Sequence, residues 1–232
     1  MTACPSGVQY DRLIEATRPH IERRGRRGAA DRWFRSLLFA LFPRPDRLRR
    51  LAVFLKLYQR SGLQRLVRAS GALDLVSKRL AALDRLTPRM SRQRNLPAVV
   101  QVPSDGGPVR RRVGLLLGCV QRVFFSEVNE ATARVLAAEG CEVHVPAAQG
   151  CCGALMLHAG REEQAATAAR HLIDVFESAG VEQIVINAAG CGSAMKTYGE
   201  LLRNDATYAD RARAFAARTR FWGPRGPAPQ ET

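Results

Sequence analysis

Apolar side chains recur at helical spacing through the first part of the chain. From Asp31 to about Leu86 the apolar positions repeat every three or four residues, and arginines fill the opposite faces. This pattern is typical of amphipathic helices that bury one face. Pro43 and Pro45 predict a break between the first two of these helices, because proline lacks a backbone N–H. A further helix is expected from Tyr10, and the Arg- and Gly-rich residues 19–29 are expected to form a loop.

The second half of the chain has the pattern of a parallel sheet. Short apolar runs at Val113–Gly118, Cys141–Val145 and Gln183–Asn187 predict three buried strands. Each of the two intervening segments has a helical apolar stripe and ends at a glycine, Gly140 or Gly180. Right-handed crossovers make a β-α-β-α-β order parallel. The sequence therefore predicts an α/β fold class, in which a parallel module follows an all-helical basic region.

These patterns divide the chain into five segments. We expect an N-terminal segment at 1–18, a basic helical region at 19–90, a Pro- and Gly-rich linker at 91–112, the α/β module at 113–220 and a disordered Gly- and Pro-rich tail at 221–232. No apolar run approaches the length of a membrane span, and no secretory signal pattern is visible at the N-terminus. A cytoplasmic location follows as an expectation, with the six cysteines reduced.

The charge of the chain is concentrated in the helical half. The formal net charge is +15 over 232 residues. Residues 1–100 hold 22 basic and 7 acidic side chains, whereas residues 101–232 hold 14 of each. Such a surface suits an acidic partner subunit, anionic lipid or nucleic acid, and a solvated arginine-rich face explains it as well. Nucleic acid is disfavoured because no recognised binding motif accompanies the charge.

Cysteines follow each of the three predicted strands. Cys119 comes after the first strand, Cys151 and Cys152 after the second, and Cys191 after the third. The carboxyl ends of parallel strands meet at one edge of a sheet, so these four thiols are expected to converge. Cys151 and Cys152 also precede a predicted helix, whose positive end would favour the thiolate. Thiolates select zinc or iron–sulfur clusters. Cys141, inside a strand, is interpreted as a small buried hydrophobe.

Other polar residues are weaker candidates. His158 lies one turn after the cysteine pair and could approach the thiols, and Asn187 could orient the loop before Cys191. His144 alternates with valines and is expected on a sheet face. Three further residues, His171, Glu162 and Glu163, are interpreted as solvated helix surface.

Several motifs together resemble a known family. They are Leu117-Gly118-Cys119, Gly150-Cys151-Cys152-Gly153-Ala154-Leu155, Asn187-Ala188-Ala189-Gly190-Cys191-Gly192 and Tyr198-Gly199-Glu200-Leu201-Leu202. The chain resembles the iron–sulfur subunits of glycolate oxidase, which share the cysteine-rich CCG module with heterodisulfide-reductase-like proteins. The stretch from Thr2 to Tyr10 resembles the end of a ferredoxin-type segment, so the resemblance makes residues 1–18 the remnant of that segment and Cys4 its last cysteine.

The resemblance carries functional expectations. It implies an electron-transfer subunit, in which Cys119, Cys151, Cys152 and Cys191 hold an iron–sulfur cluster of the [4Fe–4S] type and Cys4 belongs to a neighbouring one. It implies a flavoprotein partner that oxidises a 2-hydroxy acid, and contact with the inner face of the membrane is a further expectation. The alternative is a zinc-bound or metal-free interaction module that docks on a partner through its basic helices.

The chain also departs from the family pattern. Family members begin with two ferredoxin-like cysteine runs and carry a second CCG module, whereas here only Cys4 precedes the helices and a Gly- and Pro-rich stretch follows. The Cys-x-x-Cys ending of some CCG modules is absent after Cys191. These departures imply that the sequence is a piece of a longer protein.

Overall fold

The computed structural model describes residues 10–25, 27–90, 95–103 and 107–221. Cys4 and the tail from residue 222 lie outside the described residues, so the predictions made for them remain predictions. The first half is helical, as predicted, with the helices α1 (Tyr10–Arg24), α2 (Ala29–Leu41), α3 (Pro45–Arg60), α4 (Leu63–Ser70), α5 (Ala72–Val76) and α6 (Lys78–Leu86).

The boundaries of the first helices follow from proline and glycine. Pro45 occupies the first turn of α3, where its missing N–H costs nothing, and the predicted break before this helix is confirmed. The loop predicted over residues 19–29 is wrong as far as Arg24, because α1 continues through Pro19 to that residue. Arginine is a good helix former, so an arginine-rich run does not by itself end a helix.

The second half alternates strands and helices. Its elements are β1 (Val99–Val100), β2 (Arg111–Leu116), α7 (Gln121–Phe124), α8 (Ser126–Ala138), β3 (Cys141–His144), α9 (Ala154–His158), α10 (Glu162–Ser178), β4 (Gln183–Ile186), α11 (Ala189–Lys196), α12 (Tyr198–Leu201), α13 (Ala209–Arg218) and β5 (Thr219–Phe221).

The strands form one mostly parallel sheet. Their order is β1-β3-β2-β4-β5, with β2 at the centre. β2 pairs in parallel with β3 and β4, and β5 pairs in parallel with β4. The α/β fold class is thereby confirmed. β1 is antiparallel to β3 and lies within the predicted linker, where two residues are too few to show a sheet period.

The sheet is covered on both faces by apolar side chains. One cluster includes Phe176, Ile184 and Phe215, and another includes Val113 and Val143. The helical region joins the module through a third cluster, formed by Leu48 and Ala52 of α3 with Val123 of α7. Because α7 directly follows the Cys119 turn, this contact ties the basic helices to the cysteine-bearing edge. No helix in the described part of the chain is long and apolar enough to span a membrane.

Candidate functional site

Four cysteines lie where the three central strands end. Gly118 has φ +68°, a left-handed conformation that turns the chain after β2 and presents Cys119. Cys151 and Cys152 follow β3 and precede α9, and Cys191 lies in the first turn of α11 after β4. The sheet topology therefore gathers the four residues that the sequence indicated.

The thiols form a continuous row. The sulfurs of Cys119 and Cys151 lie 3.7 Å apart and are hydrogen-bonded. Cys152 interacts through its side chain with Cys151 on one side and with Cys191 on the other. Cys151 and Cys152 are buried, whereas Cys119 and Cys191 are half-buried. The row thus has a sheltered middle and two more accessible ends.

The protonated thiol is favoured in this row. Contact with Cys119 lowers the pKa of Cys151, but the Cys152 thiol and burial outweigh it and raise that pKa to about 11. The Cys151 contact and burial raise the pKa of Cys119 well above its usual range. The Cys191 thiol and burial likewise outweigh the Cys151 contact and raise the pKa of Cys152.

The expectation that a helix end favours the thiolates is therefore wrong for the metal-free site. α9 spans only Ala154–His158, and its contribution reduces to local contacts such as the 3.4 Å hydrogen bond from the Gly153 N–H to the Cys151 sulfur. Burial beside other thiols is the stronger effect. A bound metal ion reverses this balance because it binds the thiolate and expels the proton.

Arg122 links the first two cysteine loops. Its Nε donates to the Gly118 carbonyl at 3.0 Å and its Nη2 donates to the Gln149 carbonyl at 3.2 Å. Burial and the nearby charge of Arg49 lower the pKa of Arg122, while the Cys119 and Cys151 groups raise it. A cation thus sits within electrostatic reach of the thiols, where it would stabilise the negative charge of thiolate ligands.

A buried glutamine holds the loop before the cysteine pair. Gln149 is 3% exposed. Its Oε1 accepts from the Leu117 N–H at 2.8 Å, and its Nε2 donates to the Leu115 carbonyl at 3.2 Å. The Gln149 side chain therefore satisfies backbone hydrogen-bonding groups at the end of β2. Neither Arg122 nor Gln149 was predicted as a site residue. For Gln149, the signal available in the sequence is its position directly before Gly150 and the cysteine pair.

Asn187 orients the third loop, as the sequence suggested. Its Nδ2 donates to Asn129 Oδ1 at 3.0 Å and to Thr132 Oγ1 at 2.9 Å. Its Oδ1 accepts from Gln121 Nε2 at 2.7 Å. These bonds connect the end of β4 to α7 and α8, which fixes the backbone that leads to Cys191.

The histidines do not join the thiols. His158 Nδ1 lies 3.3 Å from Glu15 Oε1 on α1. His158 thus connects two helices, whereas the sequence suggested that it could approach the cysteines. His144 Nε2 lies 2.7 Å from Glu142 Oε1 on the same strand. His171 is exposed, yet its Nε2 lies 2.8 Å from the Ala148 carbonyl in the loop before the cysteine pair. Glu162 and Glu163 are exposed in the first turn of α10. Cys141 is half-buried and packs against the core cluster that includes Val113 and Val143.

The donor set fits a thiophilic metal in its chemistry. Four adjacent cysteines are the ligands that iron–sulfur clusters use, and zinc accepts the same set. Among the described residues, no group of three or more His, Cys, Asp or Glu side chains is already placed to hold a metal ion. The backbone thus brings the four cysteines together, and their side chains would have to reorient to bind a metal.

Comparison with known families matches both halves of the chain. The family model described as the linker region of the glycolate oxidase iron-sulfur subunit matches residues 30–87. The model described as a cysteine-rich domain matches residues 113–196, the segment that contains all four clustered cysteines.

Similar curated proteins come from several bacteria. The probable glycolate oxidase iron-sulfur subunit of Bacillus subtilis (strain 168) is 34% identical over 213 residues, which are 91% of this chain and 48% of that protein. The glycolate oxidase iron-sulfur subunit of Escherichia coli (strain K12) is 36% identical over 217 residues, 91% of this chain and 47% of that protein. Lactate utilization protein A of an Exiguobacterium species is 36% identical over 107 residues, 46% of this chain and 44% of that protein. The chain therefore spans about half the length of these relatives, and no solved structure matches it significantly.

Proposed function

Because the chain is homologous to glycolate oxidase iron-sulfur subunits and carries the linker region and cysteine-rich domain, we propose that it is an electron-transfer subunit with an iron–sulfur centre. The observation that carries the proposal is the row of four thiols, which the ends of three strands bring to one edge of the sheet. Cys119, Cys151, Cys152 and Cys191 would hold the centre, and Cys4 would belong to a neighbouring one. When bound, an iron–sulfur centre stores and passes single electrons.

The surrounding residues prepare the site for that role. The two central cysteines, Cys151 and Cys152, are buried, which excludes water from the middle of the row. Arg122 supplies positive charge beside Cys119 and Cys151, and this charge would offset the negative charge that thiolates and a reduced centre carry. Gln149 and Asn187 hold the loops in place, so that loss of the thiol protons on binding need not displace the backbone.

The proposal extends to partners. The electrons would come from a flavoprotein subunit that oxidises glycolate or another 2-hydroxy acid, and the centre would be of the [4Fe–4S] type. The basic helical region supplies a surface for an acidic partner subunit or for the inner face of the cytoplasmic membrane, because residues 19–90 carry 18 of the 36 Lys and Arg residues. Nucleic acid is not part of the proposal.

A reductive titration tests the proposed electron transfer. The chain is incubated anaerobically with ferrous iron, sulfide and a thiol reductant, desalted and titrated with dithionite. We expect a brown protein whose visible absorption bleaches on reduction and returns on reoxidation. A protein that binds no iron, or one whose colour does not respond to dithionite, contradicts the proposal.

A zinc-stapled interaction module is the second candidate, and one distance favours it. Zinc–sulfur bonds of about 2.3 Å place the ligand sulfurs of a tetrahedral site about 3.8 Å apart. The Cys119–Cys151 separation of 3.7 Å agrees with this spacing. Stoichiometric zinc in protein purified without added metal, which added iron and sulfide do not displace, would select this function over the first.

A further inference from the structure

A cavity lined mainly by arginine lies away from the cysteines. It has a volume of about 660 Å³ and lies where α1, α2 and the start of α10 meet. Within the part of the chain that the structure describes, four arginines line it, namely Arg27, Arg32, Arg35 and Arg161, together with the carboxylate of Glu22. Three of these side chains come from the helical half and Arg161 comes from the cysteine-rich half.

Glu22 is the centre of an ion-pair network in this cavity. Arg35 Nη2 donates to both of its carboxylate oxygens, at 3.0 and 2.9 Å, and Arg27 bonds to Oε2. The Nε of Arg161 lies 3.6 Å from Oε1. Burial raises the pKa of Glu22, but the hydrogen bonds from Arg27 and Arg35 outweigh it and the net pKa is lowered. One ionised carboxylate therefore faces three guanidinium groups.

The cavity keeps an excess of positive charge after these pairings. Arg27 has a second carboxylate, Asp31, at 3.6 Å. Arg32 donates to a neutral group, the Arg27 carbonyl, at 2.7 Å. Among the described residues in and beside the cavity, four guanidinium groups thus lie near two carboxylates. A ligand with two negative charges would neutralise the two excess positive charges.

The guanidinium groups are also held in place before any ligand binds. Arg161 lies over the Phe39 ring, with its guanidinium carbon 3.8 Å from the ring centroid, and Arg35 lies 5.5 Å from the same centroid. Stacking of this kind fixes the plane of a guanidinium. Prior fixation lowers the entropic cost of binding an anion.

We propose that this cavity binds a phosphate group carrying two negative charges. The planar fork of arginine matches phosphate oxygens in a bidentate manner, and several arginines around one volume are the arrangement that recognises phosphate. The volume suits a small ligand. The same group can belong to a soluble phosphate compound or to the headgroup of an anionic lipid. A purely mechanical network that ties α1 to α10 accounts for Glu22, Arg35 and Arg161, but Arg32 bonds to the Arg27 carbonyl and takes no part in that network.

Calorimetry on the full chain with inorganic pyrophosphate tests the proposal. The key variant is Arg32→Gln, because Arg32 is exposed and, among the residues that the structure describes, bonds only to a backbone carbonyl, so the fold should tolerate its loss. The matched control is Arg60→Gln, which removes the same charge from the end of α3, outside the cavity. We expect Arg32→Gln to weaken binding about tenfold, the effect of losing one charge-assisted hydrogen bond, and Arg60→Gln to change it less than twofold. Unchanged thermal unfolding midpoints check that both variants are folded.

Vesicle binding distinguishes the two sources of phosphate. Vesicles of phosphatidylcholine with phosphatidic acid, whose phosphomonoester headgroup can carry two negative charges, and vesicles of phosphatidylcholine alone are sedimented with the wild type and the two variants. Pyrophosphate binding that Arg32→Gln weakens assigns a soluble ligand. Binding only to the vesicles that contain phosphatidic acid, weakened by the same substitution, assigns a lipid headgroup. The proposal is overturned if neither probe binds, or if Arg60→Gln weakens binding as much as Arg32→Gln, since diffuse charge then explains the result. None of these readouts depends on metal loading.

Discussion

The phenol of Tyr198 donates a hydrogen bond of 2.6 Å to the backbone carbonyl of Cys152. Tyr198 is fully buried and stacks on Phe215, with ring centroids 5.5 Å apart. The backbone of the cysteine pair is therefore fixed by a side chain 46 residues further along the chain. Loop conformation at the site depends on the packing of α12 and α13 as much as on the glycines beside the cysteines.

Removing this phenol should destabilise the domain. Tyr198→Phe leaves the buried Cys152 carbonyl without its partner, and we expect the free energy of unfolding to fall by about 1–3 kcal/mol. Urea unfolding of the metal-free protein measures the change. Tyr208→Phe is the control, because it removes a hydroxyl that bonds to half-exposed Asp174 at 2.9 Å and should cost under about 1 kcal/mol. Equal effects of the two variants would show that the Tyr198 bond has no special weight.

Gly153 should not tolerate a side chain. Its φ is +79°, and an added Cβ would lie 3.1 Å from the Ala165 carbonyl oxygen. Gly180 also has a positive φ, +62°, but nothing lies within 4 Å of its added Cβ. Backbone strain alone costs about 1–2 kcal/mol, so Gly180→Ala should destabilise by that amount and Gly153→Ala by clearly more. Thermal unfolding of the two variants measures the difference, and equal losses would exclude crowding against α10.

Asp84 should make the helical region sensitive to acid. It accepts hydrogen bonds from Tyr58 and Gln64 at 3.2 Å and from Arg68 at 2.5 Å. Burial raises the pKa of Asp84, but these bonds, led by Arg68, outweigh it and lower the pKa below its usual value. A carboxyl with a lowered pKa contributes stability above its unfolded pKa, near 4, and this contribution is lost as the pH falls through the folded pKa.

The test compares Asp84→Asn with the wild type at several pH values. At pH 7 we expect the variant to lose about 1–3 kcal/mol of unfolding free energy, because hydrogen bonds to a charged group are removed. The gap should narrow below about pH 4, where the carboxyl of the unfolded chain takes up a proton, and close as the pH falls through the lower pKa of the folded state. Asp74→Asn, at an exposed pair with Arg85, should cost under about 1 kcal/mol at pH 7. A gap that stays constant down to pH 3 would contradict the assignment.

Arg122 should tune the metal centre without being a ligand. Arg122→Gln removes positive charge beside Cys119 and Cys151, so cluster retention against a chelator should fall about 10- to 100-fold. The reduction potential should also fall, because the reduced centre carries more negative charge. Arg134→Gln on the exposed face of α8 removes the same charge and should change neither quantity. A lower potential in both variants would point to a general charge effect.

Much of the fold and the identity of the clustered cysteines can be predicted from the sequence. The apolar runs at β2, β3 and β4 are continuous enough to predict buried strands, and parallel topology then brings Cys119, Cys151 and Cys191 to one edge. What the sequence lacks is the environment of each side chain. The raised pKa of Cys151 depends on burial and neighbouring thiols, which become visible only after packing.

Other features of the site cannot be predicted from local sequence patterns for the same reason. Tyr198 and Gln149 act through contacts with residues distant in the chain, and hydrophobic periodicity gives no signal for such contacts. β1 comprises only Val99–Val100 and gains its strand character from pairing with β3. Beyond Pro19, α1 contacts the second half of the chain through Glu22, which lies 3.6 Å from Arg161, and the local sequence gives no signal for this contact.

The most direct test of the central claim is the iron and acid-labile sulfide content per chain after anaerobic reconstitution. Three proteins are compared: the wild type, a variant with serine at Cys119, Cys151, Cys152 and Cys191, and Cys141→Ser, which changes a cysteine outside the row. Our account predicts about four iron and four sulfide per chain in the wild type and in Cys141→Ser, and neither in the fourfold variant. Iron and sulfide retained by the fourfold variant, or absent from the wild type, would contradict it.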